Sequence, residues 1–216
     1  MEDFEVFVVT EREQLDTAPP PRSEIVCLPR GWFENVASAM ETDRFAGRAG
    51  QVLLTRRSTG RVLGTAQVLA LSPADPSAAL PTQRACLPDT LRMLSPGAIG
   101  EIRRFAISKH LSDAGGLDQA MLQLGLLQGI LWLSADMGLT HWYAVMEHRL
   151  ARRLRRSGIH FQPAGPALEH YGLRQPCWAR IASMLERIRR ERPAVWDYWT
   201  LGGTLWCEAA AEAVVA

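Results

Sequence analysis

The chain has 216 residues, of which 47% are hydrophobic and 22% are charged, and its formal net charge is +1. A chain of this length buries a substantial core, so we expect one globular domain over residues 1–216. The balanced charge argues against a protein whose main partner is nucleic acid. The four cysteines are Cys27, Cys86, Cys177 and Cys207. They form no C-x-x-C pair, which favours reduced thiols and a cytoplasmic location over a disulfide framework or a metal site.

No segment has the pattern of an export signal or of a membrane span. Residues 1–5 are acidic and lack the basic and apolar regions of a signal peptide. The most apolar stretch, residues 117–139, contains two aspartates and three glutamines. A spanning helix needs about 20 predominantly apolar residues, so we expect no transmembrane segment.

The first half of the chain is predicted to contain an opening strand and a β-hairpin. Residues 4–9 alternate and then become apolar, which is typical of a strand. The triple proline at 19–21 cannot continue a helix or a central strand, so we expect a mobile segment over about residues 10–50. Residues 51–55 and 61–69 flank a Ser-Thr-Gly turn, which predicts the hairpin.

The second half is predicted to contain a β-α-β unit. Residues 100–108 have the pattern of a strand, residues 117–137 of a nearly all-apolar central helix, and residues 141–146 of a second strand. A C-terminal helix is predicted over about residues 176–192, because proline is favoured in a first helical turn. This order favours an α/β (α+β) fold with a mixed central sheet flanked by helices.

The strand at 100–108 carries charge where a core strand is normally apolar. It contains Glu101, Arg103 and Arg104, and burying charge costs several kcal/mol unless the charge is paired. Either Glu101 pairs with one of the arginines, or the strand lines a site. Strict alternation puts Glu101 and Arg104 on opposite faces, so a shared face requires a bulge. A bulge would also leave a backbone N–H for an oxyanion.

Several motifs resemble those of acyl-homoserine-lactone synthases and the related N-acyl amino acid synthases. Residues 101–105 contain the E-x-x-R-F motif, and residues 64–67 resemble the G-T-x-R motif. Arg22, Trp32 and Asp43 have the spacing of the family's arginine, tryptophan and first aspartate. The match implies the GNAT-like acyl-CoA N-acyltransferase fold and an enzyme that transfers an acyl group from a thioester to an amine.

The second half extends the resemblance. Residues 141–147 and 172–176 are similar to the acyltransferases associated with PEP-CTERM/exosortase systems, and together the resemblance covers most of residues 22–192. The pyrophosphate loop that is usual in this fold is not recognisable in residues 109–116. This difference favours an acyl carrier protein over coenzyme A as the donor.

Three positions depart from the lactone synthases. Ala46 stands in place of a second aspartate, Val26 in place of an aromatic residue, and Gln67 in place of the arginine after Gly-Thr. In the lactone synthases these positions help to form the pocket for the amine substrate. The departures therefore favour an ordinary amino acid or another small amine over S-adenosylmethionine as the acceptor.

The resemblance also implies a role for each matching residue. Glu101 would be the catalytic base, because the acceptor's ammonium must lose a proton before it attacks the thioester. Arg104 would hold the acceptor's carboxylate by a bidentate bond, beside Phe105. The residues of a mobile N-terminal wall over the acceptor would be Arg22, Trp32, Asp43 and Phe45.

Two further groups of residues are candidates for binding the donor. Trp142, Val145 and Met146 on the second strand would line the acyl pocket, although residues of these types also form ordinary cores. A basic helix at 147–157 would attract an acidic carrier protein. The docking candidates on it are Arg149, Arg152, Arg153 and Arg156. RNA is disfavoured because no aromatic residues are interleaved.

These observations predict a cytoplasmic N-acyltransferase that moves a fatty acyl chain to the amine of an amino acid. The donor would be the phosphopantetheine thioester of an acyl carrier protein, or acyl-CoA, with no permanently bound cofactor and no metal. A long-chain product is compatible with release near a membrane. One alternative is an autoinducer synthase that uses S-adenosylmethionine. An alternative of another class is a catalytically silent regulator that binds acyl chains or the carrier protein.

Overall fold

The fold is a mixed β-sheet with helices. The computed structural model describes residues 4–9, 49–70, 99–107, 119–169 and 172–205. The strands are β1 (Phe4–Val9), β2 (Ala49–Arg56), β3 (Val62–Ala70), β4 (Ile99–Ile107), β5 (His141–Glu147), β6 (Gln162–Pro163), β7 (Leu168–Glu169) and β8 (Leu173–Arg180). The helices are α1 (Gln119–Asp136), α2 (His148–Arg156), α3 (Ile181–Glu191) and α4 (Pro193–Thr200).

The strand order confirms the predicted mixed sheet. It runs β1-β2-β3-β4-β5-β8-β6, with β7 also pairing with β8. β1, β2 and β3 pair antiparallel, as do β5 and β8, whereas β4 and β5 are parallel. Two parallel strands need a crossover connection, and here α1 lies between them in the chain. The predicted β-α-β unit is therefore confirmed.

The chain divides into two compact units. The first comprises residues 1–69 and 102–133, and the second comprises residues 70–101 and 134–216. The single domain over residues 1–216 stays a prediction.

The hairpin of the first unit forms as its turn residues predict. Gly60 adopts a φ of +66°, which glycine reaches without steric cost, and its N–H donates to the carbonyl of Arg56 at 2.8 Å. β2 and β3 are buried along nearly their whole length. The hairpin is therefore a core element of this unit.

Helix α1 approaches the strands of the first unit closely because it presents glycines to them. A Cβ added at Gly125 would lie 2.8 Å from the ring of Phe4, and one at Gly129 would lie 2.7 Å from Cγ1 of Val6. Phe4 and Val6 share one face of β1 by alternation. Glycine costs about 1 kcal/mol relative to alanine inside a helix, and here that cost is offset by direct packing of the helix backbone on the sheet.

The second unit is held together by β5, β8 and the helices that follow. β5 pairs with β8 along its whole length, and α3 buries one apolar stripe. The stripe consists of Ile181, Met184, Leu185 and Ile188. Helix α4 ends at Leu201, which adopts the left-handed conformation at φ +51°.

Two predicted segment boundaries need comment. The helix predicted over residues 176–192 begins only at Ile181, because residues 176–180 continue β8 and pair with β5. Pro176 fits this strand, since its carbonyl still accepts a hydrogen bond from the N–H of Ala164 at 2.9 Å. The segment predicted to be mobile, about residues 10–50, lies outside the described residues except for its last two positions, which begin β2.

The backbone of β4 departs from regular strand geometry at Arg104. Its φ is +52°, and among the described non-glycine residues only Leu201 shares a positive φ. A side chain in this region costs roughly 1–2 kcal/mol, because Cβ crowds the following carbonyl oxygen. Strict alternation therefore does not continue through Arg104.

We predict that Gly129→Ala destabilises the protein. Helix propensity alone would raise the free energy of unfolding by about 1 kcal/mol, but the added methyl group would overlap Val52 and Val6. Overpacking of this kind costs about 1–3 kcal/mol, so the free energy from urea unfolding should fall or at best stay level. Ala135→Gly, half-exposed in the same helix, measures the propensity effect alone. A clear gain in stability for Gly129→Ala would contradict the close packing.

We also predict that Arg104→Gly is more stable than Arg104→Ala by about 1 kcal/mol, because only glycine is relaxed at φ +52°. Both variants lose the same guanidinium, so the difference between their free energies of unfolding measures the cost of a Cβ at positive φ. Arg103→Gly and Arg103→Ala are the matched control, and there glycine should be the less stable variant. Equal stability of the two Arg104 variants would argue against a left-handed residue.

Candidate active site

The buried carboxylate of β4 is the centre of the candidate site. Glu101 is 3% exposed. It is the register partner of Tyr143 on β5, and the preceding Gly100 is the partner of Trp142. Side chains at paired positions share a face, and successive residues alternate. Glu101 therefore lies on the same face as Tyr143 and on the opposite face from Trp142.

The predicted acyl-pocket residues divide between these two faces. Trp142 is fully buried, its Nε1 donates to Ser134 Oγ at 2.8 Å, and its ring stacks on Phe161 with centroids 6.4 Å apart. Met146 shares this face by alternation, whereas Val145 faces the other way and is half-buried. The structure therefore does not bring all three residues together on one face.

The remaining candidates on β4 are half-buried. Arg104 and Phe105 are both partly accessible, and Arg104 has the left-handed backbone described above. A half-buried guanidinium keeps the planar donor fork that suits a carboxylate. The predicted acceptor wall, made of Arg22, Trp32, Asp43 and Phe45, lies outside the described residues.

Helix α2 has the predicted basic surface. It contains five arginines and no acidic residue. All five are exposed: Arg149, Arg152, Arg153, Arg155 and Arg156. Several of them lie in the last turn, where the helix dipole favours positive charge. The arrangement leaves the charges available to a partner.

The same surface includes arginines of α3 that sequence reasoning missed. Arg192 follows α3, and its Nη2 donates to the carbonyl of Arg156 at 3.3 Å, so the C-terminal ends of α2 and α3 meet. Arg189 and Arg190 are also exposed, in the last turn of α3. The run of arginines from 187 to 192 is visible in the sequence, but its position beside α2 depends on tertiary contacts.

A histidine between the two helices adds no further charge. His160 Nδ1 lies 3.0 Å from Arg187 Nη1. Desolvation, and then the guanidinium groups of Arg187 and Arg155, lower the pKa of His160, whereas Glu191 raises it to a smaller extent. The lowered pKa favours the neutral imidazole, and the positive charge of this surface comes from arginine.

The described cysteine does not provide a nucleophile. Cys177 on β8 is buried, and desolvation raises the pKa of its thiol to about 11. A thiol of this kind is protonated and unreactive at neutral pH. Across the described ranges, no three His, Cys, Asp or Glu side chains are grouped so that they could hold a metal ion.

Within the part of the chain that the structure describes, no helix is long and apolar enough to cross a membrane.

Several known proteins resemble this chain. Residues 22–169, more than half of the chain, match the family described as autoinducer synthase. TofI, in a ternary complex with an inhibitor and MTA, is similar with a TM-score of 0.62 and 22% identity, over 88% of this chain and 99% of TofI. FeeM, an N-acyl amino acid synthase from uncultured soil microbes, has a TM-score of 0.61 and 10% identity, over 85% of this chain and 93% of FeeM. MesI, a CoA-dependent acyl-homoserine lactone synthase, has a TM-score of 0.60 and 23% identity, over 86% of this chain and 94% of MesI.

The similar structures and the family match support different conclusions. The identities to the three structures are low, so their likeness establishes the α/β, GNAT-like fold, which confirms the fold expected from the motifs. No curated protein matches the chain significantly. The family match spans the hairpin, β4 with its buried carboxylate, α1 and the basic helix. The chain is an acyltransferase and belongs to the autoinducer synthase family.

Proposed function

We propose that this enzyme transfers a fatty acyl chain from an acyl carrier protein to the amine of an amino acid, giving an N-acyl amino acid. The observation that carries the proposal is the carboxylate of Glu101, which is 3% exposed on a strand that also carries the irregular Arg104. The family supplies acyl transfer as the reaction class. A buried acid and a basic fork on one strand are the groups that an amino-acid acceptor requires.

Glu101 acts in this proposal as the general base. The acceptor arrives as an ammonium ion, and Glu101 removes a proton from it, directly or through a water molecule. The nitrogen lone pair then attacks the thioester carbon, and the C–N bond forms. The tetrahedral intermediate collapses with cleavage of the C–S bond. The departing thiolate takes up the second proton that the nitrogen loses, and Glu101 releases the first proton to solvent.

Arg104 and the backbone around it bind the charges of acceptor and intermediate. The guanidinium holds the acceptor's carboxylate through two parallel hydrogen bonds. The left-handed backbone at Arg104 turns the adjacent peptide groups away from the directions they have in a regular strand. We assign one of their N–H groups as the donor to the oxyanion, since such donors contribute strongly in a water-excluded site.

The remaining assignments concern substrate binding. Phe105, together with the N-terminal residues Arg22, Trp32 and Asp43, binds the acceptor. Of the three acyl-pocket candidates, only Val145 shares the face of Glu101 by alternation, and it is assigned to the acyl chain. Trp142 and Met146 are buried on the opposite face, where they serve as core. Burying each methylene of an acyl chain contributes about 0.8 kcal/mol.

The donor is assigned as a carrier protein because of the arginines on α2. An acidic protein is steered to a cationic surface, which raises the association rate. MesI is described as CoA-dependent, so acyl-CoA is the competing donor. A cytoplasmic location fits this proposal, since Cys177 is a free thiol and thiols stay reduced there.

The product distinguishes the proposal from its rivals. Purified protein is incubated with acyl carrier protein or CoA thioesters of several chain lengths and a mixture of amino acids, and the products are identified by mass spectrometry. An N-acyl amino acid is the expected product. Release of methylthioadenosine from added S-adenosylmethionine, with an acyl-homoserine lactone, would instead identify a lactone synthase. No acylated amine with any donor would favour a silent binding protein.

We predict that Glu101→Gln lowers kcat about a hundredfold or more, which is the range for loss of a general base. The amide is nearly isosteric, so the thermal unfolding midpoint should change little. Glu147→Gln is the control, because Glu147 is a half-buried glutamate that ion-pairs with Arg174 at 3.7 Å and has no assigned role. Unchanged turnover in Glu101→Gln would remove the base assignment.

We predict that Arg152→Glu combined with Arg153→Glu raises KM for an acylated carrier protein on the order of tenfold at low salt, because rim charges act on association. The KM for acyl-CoA should change less, since coenzyme A does not need a protein-docking surface. Arg57→Glu combined with Arg61→Glu, at two exposed positions beside the β2–β3 turn, controls for the same change in net charge. Equal changes in the two double variants would contradict docking on α2.

A further inference from the structure

Tyr143 on β5 is a buried tyrosine that has no role in the mechanism described so far. It is 1% exposed and belongs to the largest side chains that the structure buries almost completely. Its register partner on the parallel strand β4 is Glu101, which is 3% exposed. Both residues lie in the second unit. The proposed base therefore has a buried phenol beside it in the sheet.

The strand pairing brings these two side chains close together. Neighbouring strands lie about 4.8 Å apart, and side chains at paired positions project from the same face. A tyrosine side chain is longer than this spacing, so its hydroxyl can reach the carboxylate of a neighbouring glutamate with a small tilt of the ring. Glu101 is therefore within hydrogen-bonding reach of Tyr143.

The other sheet neighbours of Tyr143 on this face are poorer acceptors. Trp178, its register partner on β8, carries an indole N–H that only donates. Val145, two residues further along β5, is apolar. Nδ1 of His141 lies 2.8 Å from the hydroxyl of the preceding threonine. An ionised carboxylate accepts through two oxygens, so Glu101 is the strongest acceptor among these neighbours.

A buried phenol and a buried carboxylate both gain from such a contact. A tyrosine hydroxyl usually has a hydrogen-bond partner when it is buried, and burying a carboxylate is costly unless it is paired or hydrogen-bonded. A hydrogen bond to a charged acceptor is roughly twice as strong as a neutral one. The tyrosine side chain has only two χ angles, so packing of the ring fixes where the donor lies.

We propose that Tyr143 is a positioning residue for the base: its hydroxyl donates a hydrogen bond to the carboxylate of Glu101 and keeps that carboxylate ionised and directed at the acceptor. This inference rests on the proposed function, because it concerns the base of that reaction. Tyr143 itself touches neither the amine nor the thioester. Its effect on turnover passes through Glu101.

The hydrogen bond determines the pH at which the base is lost. A donor that binds the ionised form of an acid favours that form. Tyr143→Phe removes only the donor, so Glu101 takes up a proton more readily and loses its function as a base at a higher pH. The acid limb of the plot of kcat against pH should therefore move up by about one pH unit.

The other groups that titrate contribute equally to both enzymes. The acceptor's ammonium is the same in each reaction. The charged and titratable side chains that flank the pair along β4, β5 and β8 are unchanged by the substitution: Arg103, Arg104, His141 and Arg180. A difference between the two pH profiles therefore reports the loss of the Tyr143 hydroxyl.

The test measures kcat for the wild-type enzyme and for Tyr143→Phe at saturating donor and acceptor, across the pH range in which both stay folded. Tyr198→Phe is the control, because it removes the hydroxyl of a half-buried tyrosine in α4 of the same unit. It should leave the acid limb in place. An acid limb that does not move in Tyr143→Phe would overturn the inference even if kcat fell, because a loss of packing lowers the rate without changing the titration of the base.

A double-mutant cycle gives a second readout that needs no activity. The free energy of unfolding in urea is measured for Tyr143→Phe, for Glu101→Gln and for the combined variant. Substitutions of residues in contact are coupled, whereas those of independent residues are additive. Tyr143→Phe should lower the stability less in the Glu101→Gln background, because a neutral amide accepts a weaker hydrogen bond than a carboxylate.

The two experiments separate this inference from the proposed function. A wild-type enzyme that acylates no amine would remove the proposed function. Equal effects of Tyr143→Phe in the two backgrounds of the cycle would instead remove the contact with Glu101, whatever reaction the enzyme catalyses.

Discussion

Burial of the Glu101 carboxylate is the constraint on which the proposed chemistry depends. Burying a charged side chain costs several kcal/mol unless the charge is paired. This cost is large beside the free energy of unfolding of a native protein, which is only about 5–15 kcal/mol. Gly100, the residue before Glu101, pairs with Trp142, whose Nε1 donates a hydrogen bond to Ser134 Oγ in α1. The orientation of Glu101 is therefore set by β5, since alternation directs it away from Trp142. The proposed base is therefore oriented before the substrate arrives.

Close packing of α1 excludes a ligand from one face of the hairpin. The helix meets β1, β2 and β3 through Gly125, Gly129 and Gly64, where a single added carbon would overlap a neighbour. An acyl chain or an amino acid cannot enter an interface of this density without displacing it. The opposite face, by contrast, carries the buried polar side chains of β2 and β3: Gln51, Thr55, Thr65 and Gln67. The first unit is thus apolar and filled on one side and polar on the other.

The parts of the fold that sequence could predict are those with local signals. The turn before Gly60 predicts the hairpin, and the all-apolar run predicts α1, because neither depends on distant residues. Pro176 misled the prediction of the C-terminal helix, since proline suits a first helical turn as well as this strand, and pairing with β5 decides between them. The conformation of Arg104 is equally non-local, because arginine has no preference for positive φ. The odd spacing of Glu101 and Arg104 predicts a break in strand alternation if both side chains serve one site. It does not predict the residue at which the backbone departs from strand geometry.

The exposed arginines suit the recognition of a large partner better than that of a small molecule. The arginines of α2 and of the end of α3 are exposed, and their C-terminal ends meet at the bond between Arg192 and Arg156. Exposed charges act over a Debye length of about 8 Å in physiological salt, which is enough to guide a large anionic partner and too weak to identify a small molecule. Long-range attraction therefore suits the proposed donor, which is carried by a protein.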